Sequence, residues 1–134
     1  MNLSDPWPRS VLKVRVDGVR GKPAADVITF VVETLGDRQW AVCSHETRET
    51  WVLLHLPAGR GYNGEVLDAA GDRASFDDVS RLLSAVETAS VAKRRGFVLL
   101  LDDEEIGGIV DGRPNKILTA EFLGPWRSRL GLDR

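Results

Sequence analysis

The sequence predicts an α+β fold: a single domain in which a mostly antiparallel sheet of about five or six strands carries helices packed against it. Three observations predict it. From Ser75 to Arg95, apolar residues recur at three- and four-residue steps, the period of a helix with one buried face. Elsewhere, short alternating or unbroken apolar runs are joined by brief turns, which suits antiparallel pairing. At 134 residues, 43% hydrophobic and 28% charged, the chain has the size and balance of one folded domain. No repeat, low-complexity tract or linker divides it. Residues 11–134 therefore read as one domain preceded by an arm, residues 1–10.

The arm holds Trp7 between Pro6 and Pro8, an aromatic that either tucks onto the domain or serves a partner as a hook. In Val11 to Val16, Leu12, Val14 and Val16 point one way while Lys13, Arg15 and Asp17 point the other, giving a strand with one wet face. Asp17-Gly18 is a turn. Pro23 suits the first turn of a helix whose buried face is Ala24, Val27, Ile28, Val31 and Leu35, closed by Gly36. Trp40 to His45 and Thr50 to Leu56 predict a hairpin around the polar tip Glu46 to Glu49. Tyr62 to Ala69 predicts a third strand beyond the loop Pro57 to Gly61.

Ser75 and Asp78 form the S-x-x-D signature of a helix start. Phe76, Val79, Leu82, Leu83, Val86 and Ala89 form the apolar face of that helix. Lys93, Arg94 and Arg95 suit the negative end of its dipole, and Gly96 the left-handed cap. Phe97 to Leu101 is an unbroken apolar strand, Asp102 to Glu105 an acidic turn, and Ile106 to Val110 a short returning strand. After the loop Asp111 to Asn115, Ile117 to Leu123 and Trp126 to Leu130 predict helix, broken or kinked at Gly124-Pro125. The order is strand, helix, three strands, helix, two strands, helix. From the first helix onward it resembles the order in the small chaperones of type III secretion and in the YbjN-like proteins. That resemblance is one of element order, with no shared motif, and implies fold alone.

A formal net charge of −2 gives no electrostatic basis for wrapping nucleic acid. No apolar run approaches the ~20 residues that cross a bilayer, and Met1 to Pro8 lacks the basic-then-apolar pattern of a secretory signal. Neither nucleic acid nor membrane is an expected partner, and the expected compartment is the cytoplasm. A lone cysteine, Cys43, excludes an internal disulfide framework and a multi-cysteine zinc site.

Gly59-Arg60-Gly61-Tyr62-Asn63-Gly64 spells G-x-G-x-x-G. A dinucleotide site needs that spacing between a strand and a helix, so that the helix N-terminus meets the pyrophosphate. Here an antiparallel strand is expected to follow, which makes the stretch a hairpin loop. Kinase glycine-rich loops do lie between strands, but the other elements of that signature are missing. His45, His55 and Cys43 share a face if the hairpin pairs with an even register sum, with His45 opposite Trp51 and His55 opposite Ala41. The histidines would then stand roughly 13 Å apart along the strands, at ~3.3 Å per residue, too far for one zinc ion. Asp102, Asp103, Glu104 and Glu105 lack the layout of a calcium loop and read as a solvated turn or an acidic contact surface. Ser44 beside His45 is adjacency only, because strand neighbours point to opposite faces. No cofactor is implied.

With no catalytic motif, the expected function is a non-catalytic protein-binding module, such as an immunity protein or a small chaperone or adaptor that holds one specific protein partner. The expected surface is Arg48, Glu49 and Trp51 together with Asp102, Asp103, Glu104 and Glu105: aromatic and Arg anchors inside a polar rim. A homodimer is expected if the sheet or a helix face is left uncovered. The alternative is a small-ligand-binding protein or enzyme. In that case the Gly59–Gly64 loop and Tyr62 line a cavity above the sheet, and Glu65 and Asp68 are the first acid/base groups.

Overall fold

Alternation of Leu12, Val14 and Val16 with Lys13 and Arg15 suits a strand buried on one face only. In the computed structural model, which describes residues 10–37, 39–56 and 69–132, this stretch is β1 (Ser10–Val16). It lies inside a six-stranded sheet of order β2-β3-β1-β4-β5-β6, formed with β2 (Ser44–Thr47), β3 (Trp51–Leu56), β4 (Phe97–Leu101), β5 (Glu104–Val110) and β6 (Arg113–Pro114). Every pairing is antiparallel. Helix α1 (Gly21–Leu35) follows β1, and α2 (Ala69–Lys93) precedes β4. The described chain closes with α3 (Lys116–Leu118), a π-helical turn (Thr119–Leu123) and α4 (Gly124–Arg129). The fold is α+β, as the sequence predicts.

One hydrophobic core joins the helices to one side of the sheet. Ala24, Val27, Ile28, Val31 and Leu35 of α1 are all buried, as are Phe76, Val79, Leu82, Leu83, Val86 and Ala89 of α2. They meet Leu12, Val14, Val16, Val52, Leu54, Leu56, Phe97 and Leu99 of the sheet. The helical period and the strand alternation thus select the same side.

Five features differ from the sequence reading. Helix α2 begins at Ala69, so Ser75 and Asp78 are interior helical residues and not its cap. The Asp78 carboxylate instead accepts from the backbone N–H groups of Ala41 (2.9 Å), Val42 (2.9 Å) and Cys43 (3.0 Å). Those amides are therefore withdrawn from any ladder, and the strand expected over Trp40 to His45 is confined to Ser44–Thr47. The left-handed position at the end of α2 falls on Arg94 (φ 53°), not on Gly96. The break expected at Gly124-Pro125 is absorbed by the π-helical turn: Gly124 donates to the Thr119 carbonyl five residues back, and Pro125 sits in the first turn of α4, where no N–H is needed. The expected third strand, Tyr62 to Ala69, lies outside the described residues except for Ala69, which opens α2. A strand not foreseen, β6, occupies part of the expected loop Asp111 to Asn115.

Gly107 explains how α3 reaches the sheet. Its φ is +140°, and a Cβ there would stand 2.5 Å from the Leu118 Cβ, so only glycine permits this approach. Asn115 caps the start of α3 by accepting from the Leu118 N–H at 2.9 Å.

Candidate functional site

Since the helices occupy one side of the sheet, the alternate residues of each strand form a second face that no described element covers. The pairings arrange this face in rows. One row runs Glu46, Leu53, Lys13, Leu100 and Glu105 across β2, β3, β1, β4 and β5. The next runs Trp51, Arg15, Val98 and Gly108 across β3, β1, β4 and β5. Trp51, Leu53, Lys13, Val98 and Leu100 are half-buried, while Arg15, Glu46 and Glu105 are exposed. The result is an apolar field crossed by a basic central strand, with carboxylates toward its margins.

Side-chain contacts organise the field around Trp51. The Lys13 ammonium lies 4.8 Å from the centre of the Trp51 ring, a cation–π distance, and 3.9 Å from Asp103 Oδ1. Arg48 Nη2 donates to Glu46 Oε2 at 2.9 Å, and the other oxygen of Glu46 meets His55 Nε2 at 2.6 Å. The Arg48 N–H donates to the Trp51 carbonyl at 2.8 Å and closes the β2–β3 turn. A shallow cavity of about 720 Å³, lined in part by Arg15, Asp17, Arg20 and Thr50, adjoins this end of the face.

The expected partner surface is divided by the fold. Arg48, Glu49 and Trp51 lie at the β2–β3 turn, beside the end of β1 at Arg15, whereas Asp102 and Asp103 form the β4–β5 turn beside its start. At ~4.8 Å between strands and ~3.3 Å per residue, the turns are roughly 14 Å apart across the sheet and about as far along it. Lys13 spans them, touching Trp51 and Asp103. Asp102 is committed to the fold: its N–H donates to the Val11 carbonyl (3.0 Å) and its Oδ1 accepts from the Val11 N–H (2.9 Å). Asp102 and Asp103 take the positive φ values, 51° and 69°, that a two-residue hairpin turn requires. Glu104 and Glu105 belong to β5, opposite Leu101 and Leu100. Lys13, Arg15, Leu53 and Glu46 were not singled out from sequence, and His55 was weighed only as a metal ligand. The alternation of β1 marks Lys13 and Arg15 as facing away from the core, but bringing them beside Trp51 requires the register.

The histidines pair with an odd register sum, Ser44 opposite His55 and His45 opposite Leu54, so they occupy opposite faces of the hairpin. His45 Nδ1 accepts from Trp40 Nε1 at 2.7 Å. Among the described residues no group of three His, Cys, Asp or Glu side chains could hold a metal ion. Gly59 to Gly64, Glu65 and Asp68 lie outside the described residues.

Two buried carboxylates hold segments to α2. Burial alone would raise the pKa of Asp78, but the amides of Val42, Ala41 and Cys43 outweigh it and hold the carboxyl below its ordinary value. The Cys43 thiol is pushed up to about 12, by burial first and then by the negative charge of Asp78. Asp72, 6% exposed, accepts from Trp126 Nε1 at 3.0 Å and from Arg129 Nε and Nη2 at 3.0 and 2.9 Å. Trp126 is buried against Phe76 and Phe122, so this tryptophan serves the core. No described helix is long and apolar enough to cross a membrane. Compared with known proteins, the chain matches no family model, no curated protein and no solved structure.

Proposed function

We propose that this chain is a non-catalytic protein-binding module, an immunity protein or a small chaperone or adaptor, that holds one protein partner on the open face of its sheet. The observation that carries the reading is that face itself: Trp51 and Leu53 stand half-exposed among Arg15, Lys13 and Arg48, on the side of the sheet opposite the helices. An aromatic anchor with arginines around it, on a rigid sheet, is the composition that concentrates binding energy in protein interfaces. Arg48 and Glu46 form a salt bridge with both side chains about half exposed, so a partner can recruit either charge without first breaking a buried pair.

The test replaces Trp51 and Arg48 by alanine in one variant and compares partner capture with wild type, with the partner identified by mass spectrometry. Neither side chain supports the core, so the far-UV circular dichroism stays unchanged. Loss of a central anchor costs about 2 kcal/mol or more, and capture should fall at least ~30-fold. Undiminished capture by the folded variant would remove this surface from the account.

A further inference from the structure

The charge pattern of the open face suits a second occupant beside the partner held around Trp51. Across β2, β3, β1, β4 and β5 one row reads Glu46, Leu53, Lys13, Leu100, Glu105: acidic, apolar, basic, apolar, acidic. The signs alternate over two-strand intervals, so the row complements a copy of itself shifted by two strands. We propose that this chain forms a two-fold symmetric dimer in which the β1, β4 and β5 part of the face packs on the same part of a second copy.

A two-fold axis lying in such an interface, along β4, exchanges β1 with β5. Leu100 then meets Leu100 of the second copy, and Val98 meets Val98. Lys13 of each copy meets Glu105 of the other, so the symmetry makes the ion pair twice. Arg15, which has no ion pair among the described residues, comes over Gly108, where no side chain opposes it. Other placements do less well. An axis along β1 sets Lys13 on Lys13, with Glu46 against Glu105. An axis along β3 stacks Leu53 on Leu53 and Trp51 on Trp51, which takes the whole surface proposed for the partner.

The β4 axis leaves Trp51, Arg48 and the β2–β3 hairpin outside its centre, but Lys13 and Arg15 belong to both surfaces, so dimer and partner compete for them. The overlapping strands, at ~4.8 Å spacing and ~3.3 Å per residue, cover on the order of 400 Å² per copy. That is about half the ~800 Å² per partner of a standard stable interface, so the dimer is reversible and concentration-dependent.

Sedimentation equilibrium over a wide concentration range tests the proposal, with Lys13→Glu and Glu105→Lys made singly and mixed. Wild type should show a monomer–dimer equilibrium that weakens with salt, and each single reversal should weaken it at least tenfold. In an equimolar mixture of the two single variants, each contact joins opposite charges again, so a heterodimer should form where neither variant dimerises alone. Circular dichroism of each variant confirms that it is folded. Wild type remaining monomeric at millimolar concentration, a dimer indifferent to both reversals, or a mixture no more dimeric than its components would each overturn the proposal. The Trp51 and Arg48 capture assay is read separately, on wild type and the alanine variant, so failure of the dimer leaves the partner reading standing.

Discussion

Replacing Asp78 by alanine removes the acceptor for three consecutive backbone amides, those of Ala41, Val42 and Cys43. Bonds to a buried carboxylate contribute about 1.5 kcal/mol or more each, so the set amounts to roughly 4–5 kcal/mol. Part is recovered because the freed segment lies near solvent, with Val42 40% exposed. The expected net loss is therefore about 3 kcal/mol, a large share of an ordinary domain's ~5–15 kcal/mol. Asp78→Asn retains an oxygen but no charge, and should lose about half as much. Urea unfolding followed by tryptophan fluorescence reads both, and at a typical slope the alanine variant should shift the midpoint by about 2 M. The pH dependence has a definite sign. The folded-state pKa of Asp78 lies below its unfolded value of about 3.9, so the unfolded chain takes up the proton first as pH falls. The stabilisation is complete above about pH 5 and is lost as pH drops through the folded value. Asp78→Asn should flatten that part of the profile. An alanine variant within ~0.3 M of the wild-type midpoint would refute the reasoning.

Three further outcomes follow from the same geometry. Cys43, with its pKa pushed to about 12, has about one thiol in ten thousand ionised at pH 8; a disulfide reagent should leave it unmodified in the folded protein, react promptly in urea, and react faster with folded Asp78→Asn. Asp72→Ala removes the acceptor of the Trp126 indole N–H and of the Arg129 guanidinium, and should cost about 2 kcal/mol in thermal or urea unfolding; a loss under ~0.5 kcal/mol would contradict the role given to Asp72. Gly107→Ala places a methyl 2.5 Å from Leu118 at φ +140° and should destabilise by about 3 kcal/mol or prevent soluble expression, whereas Gly131→Ala, with nothing within 4 Å, should cost only the ~1 kcal/mol of its left-handed backbone.

Periodicity carries the fold because burial acts on whole faces. The apolar positions expected on α1 and α2 are buried without exception, and β1 points the expected residues inward. Signals that rest on one or two residues proved less legible, because a polar side chain can serve a distant segment as readily as its own. Asp78 looks like the cap of its own helix, yet it holds residues 41–43, more than thirty positions earlier in sequence. The same diversion shortens the strand expected at Trp40, and of the two register sums open to the hairpin the odd one is adopted, with His45 opposite Leu54. For the candidate surface, Trp51 and the acidic turn are visible in the sequence. Their separation at opposite ends of β1, and the role of Lys13 between them, exist only once β1 lies between β3 and β4.

The central claim is that the open sheet face around Trp51, and not the helical layer, is where a partner binds. Its most direct test is partner capture by two folded variants side by side: Trp51→Ala with Arg48→Ala on the sheet, and Val91→Ala with Ile117→Ala on the helices, where those side chains are 63% and 51% exposed. The first variant should lose the partner and the second retain it. Capture lost by the helical variant, or retained by the sheet variant, would place the partner elsewhere than on the sheet face.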